Sequence, residues 1–342
     1  MADQLPLFST SPPTIELPPP APLLAERAAP STAAPAPPAG LSANSPLKAA
    51  IVAWRAYLAN EGRSPNTVKS FGGDLDLFAK FTGAGKNIGQ FTTRDLDNWL
   101  QWQRTVKKCS PKTYARRVTS LKSFFRWLHQ AGVVNTDPAA PIIQQTVLSP
   151  LPEILTEAEV GAALKGAESI WQGERPDPTP HVLFTLLLQT GIKKAECLAL
   201  IPNHVDLSSP DEPVLFVRHA ETRHRYKDRK LPLSPGWLPA YQDYLAYREH
   251  YLPRPRRDGQ APARAEFLFP WSSRQLEYFL EDISNAAGLA KHISFDMCRW
   301  TCAVRDARAG MDFNQIRQKL GLSKIQWREV GMKLEKLVEG EH

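Results

Sequence analysis

Cysteine is scarce in this chain of 342 residues. The four present, Cys109, Cys197, Cys298 and Cys302, have neither CxxC pairing nor the density of a disulfide scaffold, which points to reduced thiols inside a cell. Cys298 and Cys302 stand one helical turn apart, but no histidine accompanies them at ligand spacing, so no metal site is expected. Long apolar runs are missing too: none approaches the roughly 20 residues that a membrane span needs. The opening Met1-Ala-Asp-Gln has neither the basic region nor the apolar stretch of a signal peptide. A soluble, cytoplasmic protein without a membrane partner is the expectation. Gly83-Ala84-Gly85-Lys86 lacks the glycine spacing of a phosphate loop and runs into Asn87, which argues against a nucleoside triphosphate site; no cofactor is implied.

What is present bounds the architecture. At 342 residues the chain exceeds what one hydrophobic core usually organises, so two domains and a linker are expected. Its 31 prolines are too many to be spread evenly through packed structure. Eleven of them, with ten alanines, fall in residues 1–45, where too little apolar surface is available to offset ordering entropy; this segment reads as a disordered tail. Residues 46–150 hold 15 Lys and Arg against six Asp and Glu, whereas residues 151–342 hold 26 of each. The whole basic excess therefore lies in the first folded segment. A small module of that charge repels itself unless it meets a polyanion, with nucleic acid the leading candidate and a membrane surface the weaker one.

Four helical patterns fill that segment, at about 47–61, 65–82, 93–105 and 111–131, so residues 46–136 form an all-α bundle. Ser64-Pro65 and Ser110-Pro111 are N-cap and first-turn pairs, and Gly62 and Gly132 fit helix stops. No acid occurs between Asn98 and Asp137, where Lys107, Lys108, Lys112, Arg116 and Arg126 are found. In the last helix Tyr114, Val118, Leu121, Phe125 and Leu128 define an apolar stripe, and Lys112, Arg116, Thr119, Ser123 and Arg126 line the opposite face. Point charges interleaved with short hydroxyls suit phosphate contact, although a plain solvated face has the same spacing.

Residues 137–152, with Pro138, Pro141, Pro150 and Pro152, read as an extended linker to a second domain at 153–342. That domain opens on Thr156 and Glu159, a reciprocal capping pair. A buried helix follows over Val182 to Gln189, and another begins near Lys193. Val214-Leu215-Phe216-Val217 and Lys230-Leu231-Pro232-Leu233 flank a basic stretch and predict one short antiparallel pair. Helical signals return at about 237–250, 273–287, 294–309, 312–321 and 324–338. The fold class is thus mainly α with one small antiparallel sheet.

These pieces together resemble the tyrosine recombinases of the phage-integrase family. Tyr57-Leu58 through Asn66-Thr67-Val68, Asp74-Leu75 and Phe78, then Ser110-Pro111-Lys112-Thr113 through Phe124-Phe125-Arg126-Trp127-Leu128, are similar to the SAM-like core-binding domain. Thr190-Gly191 through Glu196, Leu198 and Leu200, and Gly310 with Asp312, Ile316, Leu320-Gly321 and Ser323, follow the order of the catalytic domain. The resemblance implies a tyrosine that attacks a DNA phosphodiester, with arginines, a lysine and histidines stabilising the phosphorane.

Carried over position by position, little of that chemistry remains. The first arginine is replaced by Lys193, which keeps a charge but loses the guanidinium fork. The catalytic lysine falls on Arg223, His224 or Lys227, depending on turn length. In the His-x-x-Arg motif Asp296 stands for the histidine and only Arg299 fits. The later histidine is Leu322, and the tyrosine position is Gly331. The last tyrosine in the sequence is Tyr278. The reading is a DNA-binding protein of the recombinase fold with no intact catalytic set, clamping duplex DNA through Lys107, Lys108, Lys112, Arg116, Arg126, Arg223, Arg225, Lys227 and Arg299, and able to self-associate on DNA. Two alternatives stay open: an active strand-transfer enzyme with a relocated nucleophile (Ser323, Cys302 or a tyrosine between Tyr226 and Tyr251), and a protein-interaction scaffold.

Overall fold

The computed structural model describes residues 40–83, 86–144, 150–209, 211–220, 222–251 and 264–340, with the backbone alone at 222–224 and 251. The described residues divide into two compact units between 149 and 150.

The first unit contains α1 (Leu47–Asn60), α2 (Pro65–Thr82), α3 (Thr93–Thr105) and α4 (Pro111–Gln130). Ser64 Oγ accepts the Thr67 amide at 3.2 Å, and Ser110 Oγ accepts the Thr113 amide at 3.3 Å, each followed by a proline whose missing N–H costs nothing in a first turn. The predicted stripe of α4 is buried at Val118, Leu121, Phe125 and Leu128, with Tyr114 at its edge. Facing it, Phe78 meets Trp99 edge-on at 5.3 Å between ring centroids, and Trp54 lies 5.2 Å from Trp127.

Two boundaries of this unit differ from the sequence reading. Residues 1–39 of the tail lie outside the described residues; of residues 41–45, Leu41 and Ser45 are half-buried and Ser42, Ala43 and Asn44 are exposed, but the backbone is hydrogen-bonded. Leu41 contacts the core, the Ile88 amide donates to the Ser45 carbonyl at 3.0 Å, and the Gly89 amide donates to the Ala43 carbonyl at 2.8 Å. A Cβ at Gly89 would sit 2.7 Å from the Ala43 Cβ, so the close approach requires glycine. Likewise the expected linker starts as a turn. Asp137 Oδ1 accepts the Ala139 amide at 2.9 Å, Ala139 and Ile142 enter the same core, and the Lys122 ammonium donates to the carbonyls of Ala140 (3.1 Å) and Ile142 (2.5 Å).

The second unit contains α5 (Glu157–Trp171), α6 (Thr179–Thr190), α7 (Lys194–Leu198), β1 (Val205–Asp206), β2 (Val214–Val217), β3 (Arg229–Pro232), α8 (Leu238–Tyr251), α9 (Ser273–Ala286), α10 (Phe295–Arg308), α11 (Phe313–Lys319) and α12 (Lys324–Glu339). Thr156 and Glu159 cap α5 reciprocally: the Glu159 amide donates to Thr156 Oγ1 at 3.2 Å and the Thr156 amide to Glu159 Oε2 at 2.8 Å. Val182, Leu183, Phe184, Leu186 and Leu187 bury α6 on all sides, because α5, α8, α9 and α10 pack around it. The predicted strand pair is present, with Leu215 opposite Leu231 and Val217 opposite Arg229, and β1 adds a third strand in the order β1-β2-β3, all antiparallel. A satellite core of Val304, Ile316, Leu320 and Leu334 ties α10, α11 and α12 together. No helix among the described residues is long and apolar enough to cross a membrane.

Candidate functional site

The site begins where α6 stops. Gly191 takes a left-handed φ of +58°, and a Cβ there would lie 2.8 Å from Leu320 Cδ2 and 3.2 Å from Cys302 Sγ, so only glycine fits. The chain then turns through buried Ile192 into Lys193, whose amide donates to Glu196 Oε2 at 2.8 Å and starts α7. Burial, then the neighbouring Arg299 charge, holds the Lys193 ammonium below the ordinary lysine value, and Lys227 and Arg229 act in the same sense.

Arg299 reaches this point from α10. Its guanidinium donates to the carbonyls of Gly191 and, at 2.6 Å, Leu320, and burial lowers it to about 10. Arg229, from β3, forms two bonds to Glu196 (3.0 and 2.8 Å) and donates through Nε to the Lys319 carbonyl at 2.6 Å. Burial would raise the Glu196 carboxyl, but the hydrogen bonds and charge of Arg229 outweigh it and hold Glu196 below the ordinary carboxylate range. Sequence reasoning passed over Arg229 and His219; the spacing of Arg229 ahead of Leu231-Pro232-Leu233 was the available signal.

A cavity of about 310 Å³ brings four of the family positions together: Lys193, Asp296, Arg299 and Leu322, with Glu329 and Val330 of α12 on its wall. Two carboxylates, Asp296 and Glu329, are exposed at a place where the resemblance implies phosphate. Leu322 turns into the satellite core. Gly331 is buried beside Val330, and an added Cβ would lie 3.1 Å from Trp327 Nε1. The side chains of Arg223 and His224 lie outside the described residues.

Several of the other nucleophile candidates are buried or engaged elsewhere. Cys302 is buried, and burial pushes its thiol up to about 12. Ser323 Oγ caps α12 by accepting the Gln326 amide at 3.2 Å. Tyr241 and Tyr244 are core residues, while Tyr226 is exposed.

In the first unit Lys107, Lys108, Lys112 and Arg126 are exposed. Arg116 differs from the exposed position read for it. It is half-buried, donates to Asp74 Oδ2 at 2.5 Å and to the Ser70 carbonyl at 3.2 Å, and Asp74 also accepts from Ser120 at 2.8 Å. The reason is that α2 packs along that flank of α4 and carries a buried carboxylate that needs donors.

Residues 51–132 match the phage integrase N-terminal SAM-like domain, and residues 153–328 match the phage integrase family. The chain belongs to the phage integrase family. It is 29% identical over 279 residues to the tyrosine recombinase XerC of Lacticaseibacillus casei (strain BL23), spanning 79% of this chain and 89% of that protein. It is 28% identical over 304 residues to the tyrosine recombinase XerD of Brucella melitensis biotype 1, spanning 83% and 93%. Among solved structures, a lambda integrase dimer bound to a COC' core site aligns with a TM-score of 0.60 at 15% identity, over 83% of this chain and 77% of that one. The XerH recombinase bound to difH substrate aligns with a TM-score of 0.57 at 16% identity, over 80% and 79%. These structural likenesses establish the fold.

Proposed function

We propose that this protein binds duplex DNA through cationic surfaces of both units and does not itself cleave a strand. Lys107, Lys108, Lys112 and Arg126 supply phosphate contacts in the first unit, and Arg225, Lys227 and the Lys193–Arg299 cavity supply them in the second. Binding of this kind draws on counterion release and falls steeply with salt. The observation that carries the absence of cleavage is Gly331: the family's nucleophile position holds no side chain and faces the Trp327 indole. Asp296 and Leu322 add to it, the first placing negative charge beside the phosphate and the second offering no proton to a leaving group. Several copies assembling on one DNA is compatible with this reading, since lambda integrase has been captured as a tetramer on a Holliday junction.

The test is to incubate the full chain with a nicked, suicide-type duplex and separate the products under denaturing conditions. Intact DNA alongside a gel shift is the expected result. A slower, protease-sensitive DNA band that maps to a tyrosine, serine or cysteine of this chain overturns the reading in favour of a relocated nucleophile.

A further inference from the structure

A second cavity, of about 500 Å³, opens beside the first between the tip of the β2–β3 hairpin and the start of α12, lined by Tyr226, Lys227, Arg317, Gly321, Ser323 and Lys324. Its volume falls within the roughly 300–1,000 Å³ typical of small-ligand sites. Among the described aromatic side chains Tyr226 stands out: it is 68% exposed, on a hairpin tip between Arg225 and Lys227. Lys227 Nζ stands 5.3 Å from its ring centroid. An aromatic ring left in water serves no packing role, and cations on either side make the place favourable to a phosphodiester.

The tip is also held in place. The Asp228 amide donates to the Arg225 carbonyl at 2.9 Å, Arg229 Nη1 donates to the Lys227 carbonyl at 3.2 Å, and the His219 amide donates to Asp228 Oδ1 at 2.9 Å. Asp228, the one acid among the described lining residues, is thereby engaged at the hairpin base, with the His219 ring Nδ1 3.0 Å from the same oxygen. The ring is carried on a braced support.

We infer that this cavity takes an unpaired, extrahelical nucleotide of bound DNA, its base stacked on Tyr226 and its backbone held by Lys227 and Lys324. In a regular duplex every base is already stacked on its neighbours, so an aromatic side chain gains a base face only where one has left the stack. This deepens the DNA-binding reading and rests on it: the preferred ligand is duplex DNA with a flipped-out or bulged nucleotide.

The experiment measures the affinity of the full chain for three DNAs of one sequence: a perfect duplex, the same duplex with one bulged adenosine, and the same duplex with an abasic bulge. The adenosine bulge binds about tenfold more tightly than the abasic bulge, the size expected for one base on one aromatic ring. Tyr226→Ala brings that ratio to one, and Tyr226→Trp keeps it. Equal affinity for the two bulges, or a ratio that survives Tyr226→Ala, overturns this proposal while duplex binding stands. Loss of binding to all three DNAs overturns the DNA-binding reading and this one with it. If free dAMP competes as tightly as the bulged DNA binds, the cavity takes a free nucleotide and the assignment to an extrahelical base fails.

Discussion

Arg229 grips Glu196 through two parallel hydrogen bonds, Nη1 to Oε1 at 3.0 Å and Nη2 to Oε2 at 2.8 Å, with the two side chains only 8% and 6% exposed. Because Glu196 also accepts the Lys193 amide, this pair joins the β3 strand to the turn that presents Lys193. The fork geometry supplies what a lysine could not: two donors held in one plane against one carboxylate.

Removing one side of this pair strands a buried charge. Arg229→Ala is expected to lower unfolding free energy by about 3–5 kcal/mol, and Arg229→Lys by less, in urea titrations followed by circular dichroism. Since the folded Glu196 carboxyl sits below its unfolded value, its contribution is present above the ordinary carboxylate range and is lost as pH falls through the folded value. Glu196→Gln should flatten the acid limb of the stability profile. A wild-type acid limb that Glu196→Gln leaves unchanged would show that other groups govern it.

The cations of the first unit divide into two kinds. Lys112 and Arg126 are exposed, so replacing both with Ala should weaken duplex binding equally across sequences and reduce the salt slope by about two. Arg116→Ala should instead cost about 1–2 kcal/mol of stability, because it removes one donor from the buried Asp74 carboxylate while Ser120 still donates. Fluorescence anisotropy at several salt concentrations, set beside thermal melts, separates the two effects. A salt slope unaltered in the double variant rules out this face as the footprint.

Truncation tests what residues 41–45 add to stability. Deleting residues 1–39 should leave the melting temperature nearly unchanged, whereas deleting 1–45 should lower it by several degrees. The second deletion removes Leu41 and the Ala43 and Ser45 carbonyls that accept from Gly89 and Ile88. Equal melting temperatures for the two truncations would show that these residues add nothing to stability.

Local signals in the sequence read well, and long-range ones did not. Ser64, Ser110 and Thr156 mark helix starts because a capping side chain bonds to an amide three residues on, an interaction complete within one turn. The stripe on α4 is legible for the same reason: spacing alone determines which side chains share a face. Which neighbour covers the flank of that face is another matter. Arg116 meets Asp74 from 42 residues away, and Arg229 meets Glu196 from 33, so no periodicity reports either pair. The contacts of residues 41–45 are hidden similarly, since the Ala43 and Ser45 carbonyls accept amides on Gly89 and Ile88 from more than 40 residues away. Four of the family positions, Lys193, Asp296, Arg299 and Leu322, line one cavity, whereas Gly331 does not and the His224 side chain lies outside the described residues.

Arg299 sits where two helices run out. The carbonyls it engages, those of Gly191 and Leu320, are the residues that close α6 and α11. Each helix end gathers the negative pole of its aligned peptide dipoles, roughly half an elementary charge for a full-length helix. The guanidinium therefore acts as a shared counter-ion at two converging helix ends. A visiting phosphate competes with these two carbonyls for the guanidinium's donors. Substituting Arg299 would first unfasten the ends of α6 and α11, so a loss of DNA affinity in such a variant has to be separated from a loss of helix order before it counts as a contact.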